Sequence, residues 1–165
     1  MLLLSLQTPI DSVEVVGGSL TYHLLGNTFE NNSNKVSTDG RLISNPLFGI
    51  QYTTENDAYY ESMALFSGDN SVGTQILGIK AAKGIKIGNL YLGLALGVYE
   101  QDDTEFNNRG IIPFEIGRLG TTGIVPVFGA EVNYKVVSYK DVFVKINNII
   151  SPVLTNTTLS LGVSF

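Results

Sequence analysis

The sequence predicts an all-β chain folded as an eight-stranded antiparallel up-and-down barrel that spans a membrane, in one domain over residues 1–165. Three observations predict it. Apolar residues alternate with small or polar ones in eight separate stretches, the period of a strand whose two faces meet different surroundings. The composition of 18 Gly, 10% aromatic and only 15% charged residues is strand-like rather than helix-like. No uncharged run approaches the ~18 apolar residues that a spanning helix requires, so a membrane crossing falls to strands.

The first strand is read over Val13 to Leu25, with Leu20, Tyr22 and Leu24 on one side and Ser19, Thr21 and His23 on the other. Gly26 to Ser44, rich in Asn, Ser and Thr, reads as a long loop. The second strand, Asn45 to Thr53, gathers Phe48, Ile50 and Tyr52, and Glu55-Asn56-Asp57 turns the chain. The third, Ala58 to Ser67, is assigned Tyr60, Ala64 and Phe66 outside, with Glu61 and Met63 inside. Gly68 to Ser71 leads to the fourth, Val72 to Ala82, with Leu77 and Ile79 outside and Lys80 inside, and Lys83 to Gly88 is read as the next connection.

Strand five has the strongest alternation: Leu90, Leu92, Leu94, Leu96 and Val98 oppose Tyr91, Gly93, Ala95, Gly97 and Tyr99. Small residues on its second face suit a narrow lumen, packed or filled by a ligand. An acidic loop, Glu100 to Arg109, and an ambiguous stretch to Gly123 precede the sixth strand, Ile124 to Val136, with Glu131, Asn133 and Lys135 inside. The seventh, Asp141 to Ile149, sets Lys145 and Asn147 inside. The eighth ends at Phe165, with Leu159, Leu161 and Val163 on the same face as that terminal aromatic. Such an ending resembles the closing strand of bacterial outer-membrane barrels, where that end is read by the assembly machinery.

Connections alternate between tight turns and longer loops, as in barrels with short periplasmic turns and long external loops. Glu61, Lys80, Glu131, Lys135 and Lys145 all take the face opposite the aliphatic stripe on this reading. The competing fold is a soluble lipocalin-like barrel that binds lipid inside, with the same period and the opposite sense.

The net charge of −5 argues against nucleic acid, which demands a clustered positive field. Without cysteine, thiolate chemistry and disulfides are absent. Met1 to Leu6 is apolar but short and lacks a basic start, so residues 1–12 are expected to be a signal remnant or N-terminal segment.

His23 is the sole histidine and falls at the loop end of strand one, on the lumen side by parity. It reads either as a polar residue at the barrel mouth or as a base. Asp69, Ser71 and Ser67 fall at the same rim, and a Ser, His, Asp grouping could support acyl transfer.

The run Gly18 to His23, a long polar loop, Asn45-Pro46, and Ala64-Leu65-Phe66 with Asp69 and Ser71 resemble the lipid A palmitoyltransferase (PagP-like) family. Leu92-Gly93-Leu94, Ile124 to Val127 and Ile150-Ser151-Pro152 follow in similar order. The resemblance implies a bacterial outer-membrane monomer that moves a phospholipid acyl chain to lipid A, with His23, Asp69 and Ser71 as catalytic residues and no metal or cofactor. It departs from the family where Asn70 separates Asp69 from Ser71. It also implies that Pro46 and Pro152 weaken strand pairing and admit lipid sideways, the acyl chain lying against Gly93, Ala95 and Gly97. The alternative is a non-enzymatic surface barrel that binds partners through Gly26–Ser44 and Glu100–Gly110.

Overall fold

The computed structural model describes residues 8–23, 28–31, 34–37, 42–69, 75–102, 106–107, 122–151 and 154–165. Its strands in chain order are β1 (Ile10–His23), β2 (Thr28–Asn31), β3 (Asn34–Ser37), β4 (Leu42–Glu55), β5 (Tyr59–Asp69) and β6 (Gln75–Ile87). They continue as β7 (Leu90–Asp102), β8 (Phe106–Asn107), β9 (Thr122–Tyr139), β10 (Val142–Ile150) and β11 (Leu154–Ser164). Eight of them close into one barrel in the order β1-β11-β10-β9-β7-β6-β5-β4, while β3, β2 and β8 form a separate three-stranded sheet. Closure leaves the barrel wall no open edge strand.

Following ladder partners round the wall shows how it closes. Tyr22 pairs with Thr155, and the path runs through Ile150, Ala130, Leu94, Lys83, Glu61 and Thr54. It returns to β1 at Asp11, eleven residues from its start. Eight tilted strands can join into a cylinder only with such a stagger.

The two faces divide as the alternation requires. Leu94 and Leu96 are 71% and 67% exposed, whereas Tyr91 and Ala95 on the same strand are 0% and 1% exposed. Val15, Ile50, Leu65, Ile79 and Leu161 likewise point outward, and Glu14, Gln51, Asn133, Lys145 and Ser160 point into the lumen. An apolar exterior around a polar interior is the sense of a barrel in lipid and the reverse of a lipocalin, so the soluble alternative falls.

Short connections close one end. Asn56 Oδ1 accepts from the backbone N–H groups of Ala58 and Tyr59 at 2.9 and 2.8 Å, holding the first turn. Gly88-Asn89 makes the second, where Gly88 has φ 60°, a backbone that favours glycine. At this end Phe165 N–H donates to Asp11 O at 2.9 Å, tying the C-terminus to the start of β1. Tyr59, Tyr139 and Phe165 face outward beside these turns, the place of an aromatic girdle.

Three expectations change. The segment over 26–44 holds β2, β3 and the first residues of β4; its Asn, Ser and Thr residues hide short strands because they show no apolar alternation. Lys83 to Ile87 extends β6 instead of turning, with Ile85 and Ile87 outward. On β5 the assigned faces are reversed: Tyr60 is buried in the lumen while Glu61 and Met63 face outward. Both faces of that strand carry large apolar groups, so its composition does not choose between them. Tyr60 finds a lumen carboxylate and Glu61 finds an outward lysine, and these partners decide it.

Candidate functional site

The lumen holds a connected set of ionic and hydroxyl groups. At its centre Glu14, fully buried on β1, is ion-paired with Lys145 of β10. Gln51 Nε2 and Thr53 Oγ1 donate to Glu14 Oε1 at 3.2 and 3.0 Å, and Ser160 Oγ donates to Oε2 at 2.6 Å. A buried carboxylate with this many donors is compensated, as burial of charge requires.

Two further carboxylates extend the set. Glu131 accepts from Lys80 Nζ at 2.5 Å and from Tyr60 OH at 2.8 Å. Glu55, near the turn end, accepts from Lys86 at 2.8 Å, Lys135 at 3.2 Å and Tyr91 OH at 2.6 Å. Tyr60 and Tyr91 meet edge to face, centroids 5.3 Å apart, and bring the Glu131 and Glu55 groups together. Lys86, Lys135 and Lys145 each lie within 5.8 Å of the Tyr91 ring centroid, within cation–π range.

The small face of β7 is therefore covered. An added Cβ at Gly93 would come within 2.5 Å of Tyr60 OH, and Ala95 belongs to a buried cluster with Tyr60, Ala82 and Tyr91. Elsewhere Phe66 lies over Gly78 and Phe143 over Gly162, so aromatic rings occupy the space that the glycines leave. Of the two options open to a narrow lumen, the structure shows the packed one at Gly93 and Ala95.

The alternation places Lys80, Tyr91, Glu131, Lys135 and Lys145 on the lumen face, as the structure does, but it does not place Glu14, Glu55, Tyr60 or Lys86 there. Glu14 shares the even parity of the outward Leu20 and Tyr22, and the register shift near Gly17 and Gly18 turns it into the lumen, so strict alternation along β1 hides it.

The expected catalytic residues lie at the loop rim. His23 ends β1 opposite Leu154, and Asp69 ends β5 opposite Gln75. The β1–β4 and β4–β5 ladders set Asp69 level with the Gly18–Ser19 stretch. That is at least four residues short of His23, ~13 Å along the strand, and two strands round the wall, ~10 Å sideways. The ladder thus does not bring these two backbones together. Ser71 and Pro152 lie outside the described residues. Asp69 instead joins Ser67, Gln75 and Glu100 in an open groove of about 450 Å³ across β5, β6 and β7. Pro46 is exposed on β4 where the β1–β4 register shifts, a position at which the missing N–H is tolerated.

In the separate sheet, Glu30 and Asn31 of β2 pair with Asn107 and Phe106 of β8. β2 follows β1 and β8 follows β7, and those strands stand four places apart in a ring of eight. Segments that leave opposite walls are thus hydrogen-bonded to each other.

No family model and no curated protein matches the sequence. The solved structure of Ail, the attachment invasion locus protein of Yersinia pestis, in complex with the heparin analogue sucrose octasulfate, is similar in fold. Its TM-score is 0.52 at 12% identity, over 96% of this chain and 100% of that one. The fold is the eight-stranded barrel of outer-membrane proteins. A de novo designed transmembrane β-barrel aligns with TM-score 0.45 at 12% identity, over 93% of this chain and 95% of that one. Neisserial surface protein A aligns with TM-score 0.42 at 13% identity, over 94% and 95%.

Proposed function

We propose that the protein resides in a bacterial outer membrane as a packed scaffold and that its loop end binds partners at the cell surface. The observation that carries this reading is the lumen, crossed by bonded Glu14–Lys145, Glu131–Lys80 and Glu55–Lys86 groups with Tyr60 and Tyr91 between them. An acyl chain laid along Gly93 and Ala95 would have to displace Tyr60 from Glu131. Burying an apolar chain against paired charges would also strip their partners. The rigid wall leaves the long connections as the variable surface, the usual seat of binding on such scaffolds.

The ligand of Ail does not carry over on charge. Glu100 and Asp102 at the end of β7 and Asp103 and Glu105 just after it in sequence give this stretch the wrong sign for a sulfated sugar.

The test uses cells displaying the full chain. Binding to an array of immobilised matrix proteins and surface glycans is compared between the wild type and a variant with residues 103–121 replaced by a short Gly-Ser linker. We expect wild-type binding that the replacement removes, with lipid A unaltered in mass. A lipid A gaining one acyl chain with the wild type, but not with His23→Asn, would overturn this reading and restore acyl transfer with His23 as base.

A further inference from the structure

One ion pair lies on the wrong side of the wall. Glu61 and Lys83 are direct ladder partners on β5 and β6, 2.5 Å apart, with side chains 63% and 74% exposed on the outward face. Among the described residues, the other charges on the outward side, Asp11, Asp57, Asp69, Glu100, Lys140 and Asp141, sit at or near the turns or the loop rim. On β5 this pair has Tyr59 toward the turns and Met63 and Leu65 toward the rim, and on β6 it has Ile85 and Ile87 below and Ile79 above, all exposed. It thus lies at the turn-side edge of the apolar belt, between the girdle residue Tyr59 and the apolar Met63, Ile79 and Ile85, where outward charge is costly and is retained for a partner.

We propose that the β5–β6 outer face is the docking surface for a second copy of this chain, related by a two-fold axis along the membrane normal. The charges define the operator. Because Glu61 and Lys83 stand side by side on neighbouring strands, such an axis passing between them sets each Glu61 against Lys83 of the other copy and closes a ring of four alternating charges. An ammonium has three donors and a carboxylate two acceptor oxygens, more than one bond consumes, so the ring satisfies groups that lipid tails cannot. Met63, 66% exposed, pairs across the ladder with small Ala81. Strand tilt carries Met63 and Ala81 sideways from that axis, so they flank the charged contact, with Met63 as an adaptable apolar side chain beside it.

The chain has no cysteine, so single reporters are clean. Full-length protein in outer-membrane vesicles, carrying Ala81→Cys, is treated with a short bifunctional maleimide; Leu161→Cys, outward on β11 across the barrel, is the control. We expect a crosslinked dimer from Ala81→Cys and none from Leu161→Cys. Glu61→Lys and Lys83→Glu, each added to Ala81→Cys, are expected to abolish it. Mixing the two in one membrane is expected to restore it, since a doubly positive face then meets a doubly negative one. A purely intramolecular pair predicts no such rescue in trans. If either charge reversal fails to give heat-modifiable protein, Glu61→Gln replaces it and is expected to reduce the dimer.

Equal crosslinking at Ala81 and Leu161, crosslinking undiminished by the charge variants, or failure of rescue in trans would each overturn the proposal. So would monomeric protein retaining a phospholipid that Glu61→Gln/Lys83→Gln loses, which would assign the face to a lipid headgroup.

Discussion

Glu14→Gln tests the lumen network most directly. The substitution keeps the side chain's volume and one acceptor oxygen but removes the charge opposite Lys145, whose side chain is 2% exposed. Losing one member of a buried ion pair leaves an uncompensated charge and costs about 3–5 kcal/mol. With the amide oxygen in the Oε1 place, Gln51 and Thr53 can still donate to it, and the Ser160 hydroxyl can turn to accept from the new amide N–H, so the lower end, about 3 kcal/mol, is expected. In Glu14→Gln/Lys145→Met the stranded ammonium is gone, and such paired replacements are often neutral, so stability should return to within about 1 kcal/mol of the wild type. The chain has no Trp. Urea unfolding in lipid vesicles is therefore followed by the mobility difference between unheated and boiled samples on detergent gels. A loss below ~1 kcal/mol for Glu14→Gln, with a double variant no better than the single one, would refute the reasoning, because Lys145 would not depend on Glu14 for its compensation.

Leu94→Arg should block assembly, since a lipid-facing Arg near mid-depth costs about 2–4 kcal/mol, whereas Ala95→Ser on the lumen side should fold; heat-modifiable protein in the membrane fraction measures both. Gly162→Ala should destabilise by about 1–3 kcal/mol, because the new methyl meets the Phe143 ring. Adding Phe143→Leu should recover part of that loss in the same urea titration. Deleting Phe165 removes the backbone donor to Asp11 and an outward aromatic beside β11. The amount of folded protein in the membrane should fall, and unchanged levels would show that this end is not needed for assembly.

Within a strand, period-two alternation is a local property, so the sequence alone determined eight strands and the inward or outward sense of most of them. Leu94 against Ala95, or Leu161 against Ser160, is decided by which group can tolerate lipid. That logic fails where both faces are apolar. Tyr60, Ala64 and Phe66 look as lipid-compatible as Met63 and Leu65, and the charge of Glu61 points to the wrong answer. The sense of β5 follows from Tyr60 reaching Glu131, 71 residues away in sequence, and from Glu61 facing Lys83. Register sets such pairings, and no periodicity encodes it.

Register likewise governs the candidate site. His23 and Asp69 share a rim, as their positions at strand ends implied, but the stagger needed for closure and the shift near Gly18 separate them along the wall. Which charges pair inside, how β2 meets β8 and why one ion pair faces outward depend on the joining of eight strands into a cylinder. Only the tertiary structure decided these, because each pairs groups from strands that the chain reaches far apart.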